Sequence, residues 1–488
     1  MRVPLPTDVT RVTAGRPRGP RRLRWAAAAV IPIMASTMWF ATPGGATTTS
    51  AAAPVAWTVY HGSPQGTGLA LSVTKVKTTS RAWTSPALDG ELYGEPLVSN
   101  GRVFVATEDD TVYSLSAATG KVVWSTHVAT PVPSSLLPCG DIGPTVGITG
   151  TPVIDTPRDE IYAVADELIG GKPAHVLVGL KTTTGKLEMT RRVDPAGAAP
   201  SALLQRTGLT LDDGHVMFGY GGNDGDCASY RGRVVSVPVA GGTPVTFTVD
   251  AAAGESQGAV WMGGAAPVVD SKGNVWVETG NGSVYSSHHA YDDSDGVLEL
   301  SSSLRLEQYF APSSWPANNQ QDLDMTTAPT LLSDGDVLVT GKSRIAYLLD
   351  GSHLGGIGGQ RASLGSLCSD DIDGGIAALG TTVYLPCLSG TIAVRVVASP
   401  ASIRLLWSSG TGGGPASAPP TVPSASRRRS VRRPTTSRRP ASVTASCWPR
   451  PPIRWWPLPP PPAIRRQPRR RWRRRARRRP TVRYPPAP

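Results

Sequence analysis

The sequence predicts an all-β fold, a β-propeller of seven or eight blades, and three observations carry that prediction. Residues 94–124, GEPLVSNGRVFVATEDDTVYSLSAATGKVVW, hold one complete blade. An apolar-Pro opening of the type Gly150-Thr151-Pro152-Val153-Ile154-Asp155 returns as Ala265–Asp270 and Thr327–Leu332. Units of this kind start at 94, 150, 205, 263, 326 and 373, a spacing of 47 to 63 residues, and repeats of about this period mark propellers.

Within the first unit, Arg102–Ala106 alternates apolar residues at period two, Glu108-Asp109-Asp110 turns the chain, and Thr111–Leu115 alternates again. The Ala118-Thr119-Gly120 turn leads into Lys121–Trp124, a strand ending on a large aromatic that can wedge between sheets. The second unit has Glu160–Val164 as a strand and Thr183-Thr184-Gly185-Lys186 as its turn. Asn274–Val277 and Asp336–Val339 follow the two later openings, and weaker copies begin near Gln205, with Gly232–Val237, and near Asp373, with Leu405-Leu406-Trp407. The unit length exceeds a minimal four-stranded blade, so inserted loops are expected on one face. Radial repetition leaves few exposed sheet edges, whereas stacked β-sandwiches would give no reason for the same opening and turn to recur in order.

The Ala-Thr-Gly-Lys-Val-Val-Trp run ending at Trp124 resembles the tryptophan-docking repeat of the pyrroloquinoline-quinone-type propellers, which include quinoprotein dehydrogenases and the outer-membrane assembly lipoprotein B. Thr119, Gly120 and Trp124 are the docking residues that the resemblance implies, and residues 137–155 and 258–267 are similar to a secreted bacterial subgroup. The likeness covers roughly residues 55–412. It implies the fold, and with it the possibility of pyrroloquinoline quinone and calcium as cofactors.

The chain divides by composition into 1–53, 54–412 and 413–488. Seven Arg against one Asp through residue 25, an apolar run from Ala26 to Ala41 and a small-residue stretch to Ala53 are the layout of an export signal. Arg21-Arg22 permits a twin-arginine route, and an uncleaved anchor is the alternative, although the run is short for a bilayer span. The expected location is secreted or extracytoplasmic. From Arg427 to Pro488 there are twenty-one Arg and no Lys, Asp or Glu. Removing +21 for that tail and +6 for residues 1–25 from the net charge of +13 leaves −14 for residues 26–426, so the body is acidic.

The tail reads in two ways. A basic arm would bind nucleic acid or an anionic surface, with Trp455 or Trp456 stacking on bases. The favoured reading is a frameshifted translation of GC-rich DNA. Moving the frame by one base turns Cys447-Trp448 into Leu, Trp448-Pro449 into Ala, Trp455-Trp456 into Val and Trp456-Pro457 into Ala, which are blade-like residues. The last blades would then be lost from this chain, leaving a tail too poor in apolar residues to order itself. Closure of the ring is expected through a strand near Ala56–Tyr60.

Setting aside Cys447, four cysteines remain in an exported body, and the expected pairs are Cys139 with Cys227 and Cys368 with Cys387. Zinc is the weaker alternative because no Cys-x-x-Cys spacing occurs. The dehydrogenases to which the chain is similar carry a disulfide between adjacent cysteines, and no two cysteines here are neighbours. Asp292, Asp293 and Asp295, or Asp224 and Asp226, offer oxygen ligands to a metal, though neither group continues into a twelve-residue calcium loop. Gln205, Arg206, Glu255 and Gln257 precede strands and are candidates to line the central channel. His288-His289 reads as a solvated pair, and no hydrolase or phosphate-loop motif is present. The expected function is therefore a non-catalytic binding or scaffolding propeller presenting loops to a protein or glycan. A quinone-dependent oxidoreductase is the alternative, and nucleic-acid binding by the tail is the second.

Overall fold

The computed structural model describes residues 56–70 and 81–409. The signal-like segment, the arginine-rich tail and Cys447 lie outside the described residues.

Six four- or five-stranded sheets, antiparallel but for one added strand in the fourth, follow one another along the chain, one for each repeat unit, and Val132–Pro133 pairs with Thr145–Val146 as a two-stranded ribbon between the first two. Sheet 1 comprises Leu97–Ser99, Arg102–Ala106, Thr111–Ser116 and Val122–His127. Sheet 2 comprises Val153–Asp155, Glu160–Ile169, Lys172–Lys181 and Leu187–Arg192. In sheet 3, Leu203–Leu204 and Thr210–Asp212 both pair with His215–Gly222, which continues to Arg233–Pro238 and Val245–Thr248. Sheet 4 is Val268–Val269, Val275–Thr279, Gly296–Leu300 and Leu306–Ala311, with Gly356–Ile357 added in parallel. Sheet 5 is Thr330–Leu331, Asp336–Val339, Ala346–Asp350 and Ala362–Leu364. Sheet 6 is Ala377–Leu379, Thr382–Cys387, Gly390–Ala398 and Ala401–Ser409. One short helix, Trp315–Gln321, interrupts this pattern between sheets 4 and 5.

Each sheet is too small to bury its own apolar faces, so the cores lie between neighbours. Leu97, Phe104 and Val112 of sheet 1 meet Ile154, Ile161 and Val178 of sheet 2. The other face of sheet 2 contributes Val153, Tyr162 and Leu177 against Val216, Phe218 and Val235 of sheet 3. One large cluster then joins sheets 3, 4 and 5, and another joins Leu338 and Leu348 of sheet 5 to Val383 and Leu385 of sheet 6. A side chain as buried as Phe218 contributes roughly 1.5–3 kcal/mol through the water it excludes.

The two outer faces of this series behave differently. Among the described residues, Ala377, Tyr384 and Ala393 of sheet 6 cluster only with residues of the same sheet, Leu379 and the ring of Trp407. On sheet 1, Val103, Val105 and Leu115 are covered by Trp83 and Leu88. No hydrophobic cluster joins sheet 6 to sheet 1 among the described residues.

The segment expected to close the ring does something else. Trp57 pairs with Val98 of sheet 1, Thr58 O accepts from Ile154 N of sheet 2, Pro64 O from Val269 N of sheet 4, and Thr67 O from Ala378 N of sheet 6. Residues 57–68 thus lace the innermost strands together at the hub. Those strands are the free edges of four sheets, and the segment satisfies N–H groups that burial would otherwise leave unpaired. Tyr60 anchors the lacing, its hydroxyl accepting from Gly375 N at 2.9 Å while its ring stacks on His61.

Candidate functional site at the loop end

In every sheet the turn between the second and third strands, and the link to the next sheet, emerge at one end. The long connections 128–152, 223–232, 249–267, 280–295 and 312–329 are all of these two kinds, whereas 351–361, between the third and fourth strands of sheet 5, emerges at the other end. At the opposite end, a cleft of about 540 Å³ lies between short turns of sheets 2 and 3, lined by Thr58, Asp155, Arg158 and Asp212.

The loop end gathers three buried polar constellations. In the first, Lys342 ends 3.1 Å from Asp322 and also pairs with Asp324, while its ammonium stands 5.9 Å above the indole of Trp261. Asp324 is fully buried and accepts from Asn281 N through its other oxygen. Burial pushes its carboxyl up to about 6 against the opposing pull of Lys342. Burial alone would lower Lys342, but Asp324 holds the ammonium above its ordinary value. The second is His175, its side chain 1% exposed, with Asp166 2.9 Å from Nε2 and Asp194 2.8 Å from Nδ1. Burial opposes the charge, yet Asp166 and then Asp194 raise the imidazole to about 10, so it is an imidazolium at neutral pH. In the third, fully buried Glu278 of sheet 4 accepts from Thr327 N at 2.8 Å and from its hydroxyl. Burial drives it up to about 8 despite these donors. All three hold charge or a proton inside the fold, and each ties two strands or sheets together.

The residues singled out in the sequence have definite places. Asp226 accepts from Tyr230 OH at 2.7 Å, and its neighbour Asp224 is exposed. Asp292 is 3% exposed and takes the Ser294 hydroxyl, Asp293 is half-buried, and Asp295 is fully buried. Carboxylates from these two runs do not converge: among the described residues the one metal-sized group of acid, His or Cys atoms is Cys368, Asp370 and Cys387, whose sulfurs are bonded to each other. Gln205 donates to Thr207 O at 2.7 Å within its own loop. The Arg206 guanidinium lies against the backbone of Gly264, where any Cβ would collide with it. Glu255 accepts from Ala252 N, and Gln257 bridges Arg231 and Gly282 at the junction of sheets 3 and 4. The two disulfides, Cys139–Cys227 and Cys368–Cys387, are formed. His175, Trp261, Glu278 and Lys342 were not visible in the sequence, because their partners lie 9 to 81 residues away in the chain.

The docking geometry recurs between units. Trp124 Nε1 donates to Thr182 O at 2.9 Å and its ring lies on Gly185, where a Cβ would fall 2.6 Å from Cε3. Gly120, with φ +70°, receives Trp83 in the same way.

Radially repeated four-stranded sheets linked by indoles docked on Thr-Gly turns define a β-propeller of the quinoprotein-like class. Within it, the chain belongs to the PQQ-type repeat family described as outer membrane protein assembly factor BamB, whose model matches residues 37–296. Among solved structures it is similar to quinohemoprotein alcohol dehydrogenase from Comamonas testosteroni, at 14% identity and a TM-score of 0.52, over 70% of this chain and 59% of that one. Quinohemoprotein alcohol dehydrogenase ADHIIG from Pseudomonas putida HK5 is similar at 12% identity and 0.50, over 71% and 59%. BamB from Moraxella catarrhalis gives 14% and 0.42, over 66% and 78%. The chain thus spans 59% of the length of each dehydrogenase, and identities this low carry the fold alone. No curated protein matches it.

Three close contacts fill the space around Trp261 and the neighbouring glycines. Lys342 already occupies the space over Trp261 and is compensated by two aspartates. Gly263 is packed against Gly374 across the sheets, and Arg206 against Gly264.

Proposed function

We propose that this protein is an exported binding propeller that presents its loop end to a protein or glycan partner and performs no chemistry of its own. The observation that carries the reading is a set of apolar side chains at the tips of that end. Leu136, Ile169, Tyr285 and Leu388 are 42–55% exposed, three of them in turns or links of the loop face and Ile169 at the end of the strand that leads into one. They project from an acidic body, and exposed aromatic and aliphatic side chains on loops are what a recognition surface would use as anchors. Two disulfides support an oxidising compartment, and no helix among the described residues is long and apolar enough to cross a membrane.

The test compares the wild-type chain with Leu136→Ser/Tyr285→Ser/Leu388→Ser on a glycan array and against extracytoplasmic protein fractions. A partner retained by the wild type and lost by the variant supports the reading. In parallel, the chain is incubated with pyrroloquinoline quinone and calcium. Stoichiometric cofactor absorbance with dye reduction by an alcohol would overturn the reading in favour of an oxidoreductase.

A further inference from the structure

Asp250 and Asp292 meet at the junction of sheets 3 and 4. Asp250 follows the last strand of sheet 3, Asp292 stands in the loop between the second and third strands of sheet 4, and Asp250 N donates to Asp292 O at 3.0 Å. Neither side chain reaches water, at 0% and 3% exposure. Asp292 Oδ1 takes the Ser294 hydroxyl at 2.6 Å, but Asp292 Oδ2 and both oxygens of Asp250 have no hydrogen-bond partner. The surrounding backbone leaves no room for another side chain. A Cβ on Gly258 would stand 2.9 Å from Asp250 Oδ2, and one on Gly282 would stand 2.7 Å from Asp292 Oδ2.

No cationic side chain among the described residues pairs with them, so without an ion burial and the facing Asp292 hold the Asp250 carboxyl up to about 9 and keep it protonated. Asp293 and Glu255 add two further carboxylates to the same junction, and no ion pair among the described residues involves any of the four. The nearest arginine of the loop, Arg231, donates instead to the carbonyls of Ala251, Ala252 and Glu255. An uncompensated buried carboxylate is unfavourable, and two facing each other are more so. A bound cation removes that cost, and an all-oxygen donor set with a net double charge selects a hard divalent ion.

We propose that Asp250 and Asp292 are the paired carboxylate ligands of a calcium site that pins sheet 3 to sheet 4. The site is independent of any quinone and of the partner at the loop tips. Its role is to rivet two sheets.

The test uses the full chain stripped with a chelator and returned to calcium-free buffer. Calorimetric titration with calcium chloride should show one ion per chain and a raised melting temperature, and terbium should luminesce when excited through neighbouring Tyr291. Asp250→Asn and Asp292→Asn should each weaken calcium at least about tenfold, while Asp224→Asn leaves it unchanged. Should Asp250→Asn fail to fold, Asp292→Asn and the wild-type titration still decide. A wild type whose melting temperature ignores calcium and that binds no terbium would overturn the site. So would calcium binding that survives both substitutions.

Discussion

Trp83 donates its indole N–H to the carbonyl of Ala117 at 2.8 Å and lies over Gly120, the arrangement that Trp124 makes with Thr182 and Gly185 one unit later. Trp124 belongs to the outermost strand of its sheet, so Trp83 occupies the place of an outermost strand in a sheet preceding sheet 1. Residues 81–88 nevertheless pair with no strand among the described residues. At the other end, Leu405, Leu406 and Trp407 in the last strand of sheet 6 are 43–52% exposed. Among the described residues, the face of sheet 6 formed by Ala377, Tyr384 and Ala393 packs on no neighbouring sheet. Restoring the alternative reading frame after Trp407 is expected to supply that neighbour, raising the melting temperature by several degrees over the chain as written. Equal melting temperatures, or a gene sequence that reads cleanly in the present frame, would count against it.

The docking turns can be separated from ordinary glycine turns. Gly185 and Gly214 both have φ near +70°, but a Cβ on Gly185 would enter Trp124 while one on Gly214 would meet nothing within 4 Å. Gly214→Ala should cost about 1 kcal/mol, the backbone penalty alone. Gly185→Ala should cost about 3 kcal/mol because the indole must also move. Urea melts of the two variants measure the difference, and equal losses would show that the docked indole adds nothing.

These docking turns also show how much the sequence disclosed. All six sheets were legible because period-two alternation is local and the Pro opening repeats. Trp124 was legible from the Thr-Gly spacing. Trp83 was not, since its strand lacks a sheet of its own, and Ala56–Tyr60 was assigned to closure because nothing in a polar-apolar pattern distinguishes an edge strand from a segment lacing the hub. Buried charge was hidden for a different reason. His175 is flanked in its strand by Pro173, Ala174, Val176 and Leu177, and only the fold brings Asp194, just past the end of the next strand, against it.

The His175 triad makes a pH prediction. Its folded pKa of about 10 lies above the ordinary 6.5, so its contribution is fully present below about pH 6.5 and is lost as pH rises through about 10. Asp166 and Asp194 then face each other across a neutral ring. His175→Gln should be destabilised by about 3 kcal/mol at pH 6 and by less at pH 10. Chemical melts across that range check it, and a difference that does not shrink with pH would exclude a charged His175.

Glu278 gives the complementary case, because here it is the neutral form that the fold prefers. Burial raises the carboxyl from 4.5 to about 8. The folded state holds a proton that the unfolded chain releases, so the stability contributed is fully present below about pH 4.5, falls as pH rises, and is gone above about 8. Glu278→Gln keeps the shape and an acceptor for Thr327 while removing the charge. It should match the wild type near pH 4.5 and exceed it by roughly 2 kcal/mol above pH 8. The window differs from that of His175, whose loss runs from 6.5 to 10, so the two variants together assign the slope of the stability curve to its sources. A Glu278→Gln chain that is less stable than the wild type at pH 9 would mean that the ionised carboxylate is needed by Thr327 and that its burial is compensated.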